Sequence, residues 1–327
     1  MAATLGAAAA FALVAAQPTE VERHIAAARA AAGAEHAGMV DRLCPVAPAT
    51  PAAPARPAVA PSRAGAVPAG GGASSVDPPR DSWHAEPQKV FDNLYFVGMT
   101  EFASWAVTTT DGIIVIDPLF DYSVEDEVVG GLRKLGYDPA DIRYVLISHG
   151  HLDHAGGAKL LQERFGARLL MSAADWDMVE REKPRWEPER DLVITDGEKL
   201  TLGDTTLTMY LTPGHTAGTV STLIPLRDGA QNHVAALWGG TLFNFAPDAA
   251  RFKAYADSAA RMRELAAGAG ADVLLSNHTD YDGSKIKLPA VAKRAPGAPH
   301  PYVVGADSVR RYLTVANECA QAALAGL

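Results

Sequence analysis

Four potential metal ligands, His149, His151, Asp153 and His154, fall within six positions, directly after the apolar stretch Tyr144, Val145, Leu146, Ile147 and Ser148. In an extended segment, side chains two apart share a face, so His149 and His151 are able to grip one ion. Asp153 and His154, where the chain turns into a helical pattern, face a second ion beside the first. Imidazole and carboxylate are donors that suit zinc, at about 2.0–2.2 Å. Taken singly, Asp153 also reads as a helix N-cap and His149 as a hydrogen-bonded core residue. Four such residues together at the end of a buried strand argue for a metal site. The fold must therefore set a strand, a ligand-bearing turn and a helix in succession.

Two more histidines follow apolar strands in the same way. His215 lies in Thr212-Pro213-Gly214-His215-Thr216, and His278 in Ser276-Asn277-His278. Around them the chain alternates strand and helix patterns. Strands are predicted over residues 89–97, 105–117 (with a hairpin signal at Asp111-Gly112), 144–148, 168–171, 199–211, 219–226, 233–238 and 273–276. Helices are predicted over 125–135, 156–165, 252–267 and 307–324. Mixed elements of this kind imply sheets covered by helices, an α/β (α+β) class. His84, His233 and His300 lack a comparable context, and His24 and His36 read as surface residues.

Composition narrows the partners. With Lys+Arg 29 against Asp+Glu 38 the formal charge is −9, a balance that disfavours phosphate backbones and so nucleic acid. The body of the chain has no apolar run of bilayer length, so no integral membrane segment is expected. No Gly-x-Ser-x-Gly elbow is present to suggest a serine hydrolase. A small-molecule substrate remains, with the oligomeric state open.

The motifs His149-x-His151-x-Asp153-His154, Thr-Pro-Gly-His215-Thr, Gly239-Gly240-Thr241-Leu242-Phe243 and a last strand-end His278 resemble, in order, those of the metallo-β-lactamase superfamily. The resemblance runs from Val90 to His278 and implies an αββα sandwich with its metal site at one edge. Many relatives carry a bridging Asp where this chain has Gly240. The main clinical subclass of true β-lactamases has Cys where this chain has Thr241, and lacks a ligand at the position of His154. The pattern is similar to the third β-lactamase subclass. That carry-over places a first zinc on His149, His151 and His215 and a second on Asp153, His154 and His278. The reaction it implies is attack of a metal-bridging hydroxide on an amide or ester carbonyl, with Asp153 orienting the nucleophile and passing a proton to the leaving group. A cyclic amide is the first expectation, with antibiotic resistance as its consequence. A lactone, thioester or other ester is the alternative, and a non-catalytic metal-binding protein a second. A di-iron centre is the alternative to two zinc ions.

Substrate contacts are expected from the loops at 98–105 and 176–191. Phe102, Trp105 and Trp186 there would pack an apolar face or, equally, simply the core. Thr241 and Asn244 would meet a substrate carboxylate, and Tyr281 the oxyanion.

The front of the chain reads as four parts. Residues 1–16 are uncharged, Ala-rich and end in Val14-Ala15-Ala16, which resembles the apolar part and cleavage site of a secretory signal, without its basic leading segment. Residues 17–44 read as an N-terminal helix, with Thr19 and Glu22 at capping-box spacing. Residues 45–80 hold nine prolines among Ala and Gly and read as a linker. Residues 81–327 are expected to form the catalytic domain. Export to the periplasm or medium would oxidise the two cysteines, Cys44 and Cys319, to a disulfide that pins the leading helix to the closing one; retention in the cytoplasm would leave two thiols.

Overall fold

The computed structural model describes residues 17–44 and 77–327. The expected signal segment at 1–16 and most of the expected linker lie outside these residues.

Strand-forming residues at period two build the first sheet. Its strands are β1 (Gln88–Phe91), β2 (Leu94–Phe96), β3 (Trp105–Thr109), β4 (Gly112–Ile116), β5 (Ile142–Leu146), β6 (Arg168–Ser172) and β7 (Leu192–Ile194), paired in chain order. The first four are antiparallel and the last four run parallel from β4 onward. The second sheet has the order β12-β11-β10-β9-β8, from β8 (Glu198–Leu202), β9 (Thr205–Leu211), β10 (Val220–Asp228), β11 (Gln231–Trp238) and β12 (Val273–Ser276). Only its β11–β12 pair is parallel.

Alternation along each strand sorts the core into layers. Trp105, Val107, Ile114 and Ile116 point between the sheets, where they meet Leu207, Met209, Ile224 and Leu275. Their neighbours Ala106, Ile113 and Val115 point outward, to helices α3 (Gly130–Lys134), α5 (Ala158–Phe165) and α6 (Ala173–Glu182). The other outer layer packs Trp238 and Leu274 against α7 (Ala249–Gly268) and α9 (Ala306–Ala325). The result is the expected αββα sandwich.

Several elements depart from the sequence reading. The stretch 89–97 is two strands, because Asp92 and Asn93 turn the chain and Asn93 bonds both Pro225 O and Arg227 N. The loop expected at 176–191 begins as helix α6, which runs through Glu182 and is capped by Ser172, whose Oγ accepts from Asp175 N. Helix α8 (Ser284–Ala292) was not foreseen.

The N-terminal helix is two helices, α1 (Glu20–Ala32) and α2 (Ala37–Leu43). The capping box of Thr19 and Glu22 starts α1, and Gly33, at φ 54°, ends it in the left-handed region. Ile25, Ala28 and Ala32 are buried, and α1 packs along α9. His36, expected at the surface, is buried, with its ring edge-on to Tyr312 and Nε2 3.1 Å from Ser308 O. Cys44 and Cys319 form a disulfide, as the export reading expects.

Candidate metal centre

The expected ligands all lie just past strand ends on one edge of the sandwich. The chain leaves β5 into His149 and His151, then opens helix α4 (Leu152–Ala155) with Asp153 and His154. His215 follows β9, and His278 follows β12. Five imidazoles and one carboxylate from three segments thus converge. His215 Nε2 lies 3.1 Å from both His149 Nε2 and His151 Nδ1. His154 Nε2 lies 3.2 Å from His278 Nε2 and 3.1 Å from Asp153 Oδ2, and His278 Nε2 is 3.7 Å from the same carboxylate oxygen.

Partners on the far side of each ring select which nitrogen faces inward. His149 Nδ1 donates to Gly239 O at 2.8 Å, and His215 Nδ1 to Leu242 O at 2.6 Å. His154 Nδ1 faces Asp117 Oδ2 at 3.1 Å. His149 and His215 therefore present an unprotonated Nε2 to the centre, whereas against its burial the charges of Asp153 and Asp117 raise His154 to about 10, so it gives up a proton when a cation binds. Burial holds His149 well below the ordinary histidine range, and holds His215 down to about 3 and His278 to about 4, so these rings stay neutral electron-pair donors. Burial works to raise Asp153, but the charge and hydrogen bond of His154 overcome it and hold the carboxyl well below the usual range. Nitrogens packed this closely, with few protons to share among them, fit cations rather than hydrogen bonds alone. Two groups of atoms meet the geometry of an ion site: His149, His151 and His215, and His149, Asp153 and His154. His278 completes the second by its approach to His154 and Asp153.

At Gly240, the position to which the sequence resemblance assigns the relatives' bridging Asp, the packing admits no side chain. A Cβ there would stand 2.6 Å from His215 Cβ and 2.9 Å from its Cδ2. The backbone packs directly on this imidazole and leaves no room for a side chain.

Four supporting residues escaped the sequence reading. Asp117, at φ 57°, is buried at the end of β4 and accepts from Ser148 N and Ser148 Oγ, both at 2.7 Å, besides facing His154. A buried non-glycine residue in that conformation is strained and held by its surroundings. Asn277 Nδ2 donates to Gly239 O at 2.7 Å and to Ser148 Oγ at 3.2 Å. Asp175 and Arg251 grip the backbone around the ligands. Only Asp117 left a trace in the sequence, as an acid closing an apolar strand.

Of the expected substrate contacts, Phe102 is at the centre: its ring lies 5.0 Å from that of His278 and 6.4 Å from that of His154. Asn244 is exposed on the segment after Gly240. Trp105 is not a contact. It is fully buried between the sheets, edge-on to Phe96 and Tyr302, and its Nε1 donates to Ser276 O. Thr241 is buried too, with its hydroxyl 3.4 Å from Tyr312 Oη and its carbonyl taken by Tyr255 Oη. Trp186 packs in the layer outside the first sheet and lines a cavity of about 570 Å³ with Asp121, Lys159 and Arg164; none of the histidines lines it. Tyr281 is largely buried, its ring 6.1 Å from that of His278 and 5.9 Å from the Arg42 guanidinium of α2.

Comparison with known proteins agrees with this geometry. A family model described as the metallo-beta-lactamase superfamily matches residues 103–229. A subclass B3 metallo-β-lactamase of Bradyrhizobium japonicum superposes with a TM-score of 0.63 at 28% identity, covering 72% of this chain and 91% of that one. The native metallo-β-lactamase of Legionella gormanii gives 0.60 at 25% identity, over 70% of this chain and 91% of that one. A hydroxyacylglutathione hydrolase of Acidiphilium cryptum is 33% identical over 171 residues, 48% of this chain and 64% of that protein. One of Mesorhizobium japonicum is 30% identical over 144 residues, 42% of this chain and 52% of that protein. The chain thus spans between about half and two thirds of the length of these two curated relatives. Motifs, fold and family model converge on a metallo-β-lactamase superfamily domain, matched over residues 103–229 of this chain.

Proposed function

We propose that this protein is a dizinc hydrolase that opens an amide or ester carbonyl, with a cyclic amide of the β-lactam type as its first candidate substrate. The observation that carries this is the double donor set, three imidazoles in one group and Asp153, His154 and His278 in the other. Zinc, when bound there, supplies a Lewis acid for the carbonyl and an activated water at neutral pH. The residues of this chain supply the rest. His149, His151 and His215 hold one ion, and Asp153, His154 and His278 the other. Asp153, ionised and partly open to solvent, accepts a hydrogen bond from the attacking water. It then moves a proton through its carboxylate to the leaving nitrogen or oxygen as the carbonyl bond breaks. Phe102 covers the flank of His154 and His278 and keeps bulk water from it. Asn244, exposed two residues past Leu242, whose carbonyl holds His215 Nδ1, would hydrogen-bond a substrate carboxylate.

The choice of amide over thioester rests on Gly240, which leaves no bridging carboxylate of the kind many esterase-like relatives carry, and on the subclass B3 structural relatives. The hydroxyacylglutathione hydrolases among the curated relatives support a second reading, a thioester substrate. The disulfide between Cys44 and Cys319 supports export to an oxidising compartment, periplasmic or extracellular. A hydrolysis panel of a carbapenem, a cephalosporin, a homoserine lactone and a glutathione thioester, with and without chelator, separates these readings. Turnover of the last two alone would overturn the β-lactam assignment.

A further inference from the structure

His215 is the one member of the three-histidine group that does not come from the 149–154 segment, so its loop must be held in place independently. Two charged side chains do this from opposite ends. On one side Arg251, in the first turn of α7, donates from Nε to Gly214 O at 3.3 Å and from Nη2 to His215 O. Its guanidinium lies 3.8 Å from the centre of the Phe245 ring, which fixes its plane. On the other side the fully buried Asp175, in α6, accepts from Thr216 Oγ1 at 2.8 Å and from Gly218 N at 2.9 Å. The same carboxylate accepts from Gly150 N, between His149 and His151, at 2.9 Å. Neither charge has a direct ionic partner among the described residues. A buried carboxylate is costly unless compensated, and here the donors of the ligand loops and the nearby guanidinium do the compensating.

We propose that Asp175 and Arg251 form a split ion pair whose halves meet through the His215 loop rather than directly, and that this clamp sets the metal affinity of the three-histidine group. Asp175 ties the two ligand-bearing segments to each other; Arg251 aims the carbonyls of Gly214 and His215 away from the centre, so the imidazole faces into it. Both are positioning residues. The inference rests on reading His149, His151 and His215 as a metal site.

The test is zinc titration of the chelator-stripped full chain against a chromogenic chelator, which resolves two binding steps. The variants H215A and H278A identify which step belongs to which group. D175N and R251Q should each weaken the three-histidine step about 10–100-fold, the usual size for outer partners of ligands, and leave the other step within about twofold. The double variant should lose less than the product of the two, because the first loss already frees the loop. R251K should recover part of the affinity, since one ammonium replaces only one of two donors. Equal weakening of both steps, or unchanged steps in R251Q and R251K, would overturn the clamp even if D175N fails to fold. A wild-type chain that takes up two zinc ions yet hydrolyses nothing in the panel would sink the hydrolase reading and leave the clamp standing.

Discussion

Asp117 shows how much of this site depends on residues that carry no motif. It adopts φ 57° while buried, which an L-residue other than Gly adopts at a cost, and in return bonds Ser148 twice and faces His154. D117N keeps a side chain that tolerates the left-handed region but removes the charge behind His154. It should lower zinc content and turnover roughly 10–100-fold, as losses behind metal-bound imidazoles do; metal analysis and kcat on the same preparation check this. The metal-free protein should also respond to acid. His215 and His278 sit at about 3 and about 4 in the fold, below their unfolded value of about 6.5. Their neutral forms favour the fold above about pH 6.5, and that stability is lost as pH falls toward 4. The charges of Asp153 and Asp117 raise His154 to about 10 against its burial; this contribution has the opposite sign, begins to fall above about pH 6.5, and offsets only part of the two-histidine effect between pH 5 and 7. Urea midpoints of the stripped protein should therefore be lower at pH 5 than at pH 7. The ligands themselves were legible because histidines cluster at strand ends at diagnostic spacing. Asp175 and Arg251 were not, since one acid and one arginine acting on distant backbone leave no local pattern.

Among the elements, strand ends and long helices were readable, and short helices that owe their existence to tertiary packing were not. Helix α6 lies in a charged stretch (Asp175, Asp177, Glu180, Arg181, Glu182) and is fixed by its Ser172 cap and by burial of Trp176 and Val179. The break between α1 and α2 hangs on Gly33 alone, which gave no helical-period signal of its own. The pair α1–α2 is held by packing on α9 and by the bond from Cys44 to Cys319, which closes a loop of sequence separation 275. Removing such a bond commonly costs about 2–5 kcal/mol. C319S should lower the unfolding midpoint accordingly. A thiol assay on the unfolded, unreduced wild type should find no free thiol, whereas two would contradict the bridge. Arg42 of α2 also pairs with Asp280, two residues past His278, at 2.7 Å, so the same variant extends its effect to the edge of the centre.

Across the whole molecule, two sheets face each other, and the segments that follow β4, β5, β9, β11 and β12, with helix α4 after β5, carry the proposed ligands and most of their supporting residues. The sandwich was legible from alternating strand patterns and four ordered motifs. The substrate side was not: Trp105 and Trp186 fall in expected loops and Thr241 in its motif, and only packing decides that they face away. The central claim is that one edge of this sandwich holds two catalytic zinc ions. Metal analysis of the purified wild type, paired with hydrolysis before and after chelation and after zinc is returned, tests it most directly. The account predicts close to two zinc ions per chain, activity lost on stripping and regained with zinc, and both diminished in D153A. Turnover that survives complete stripping, or a D153A variant that keeps two zinc ions and full activity, would contradict it.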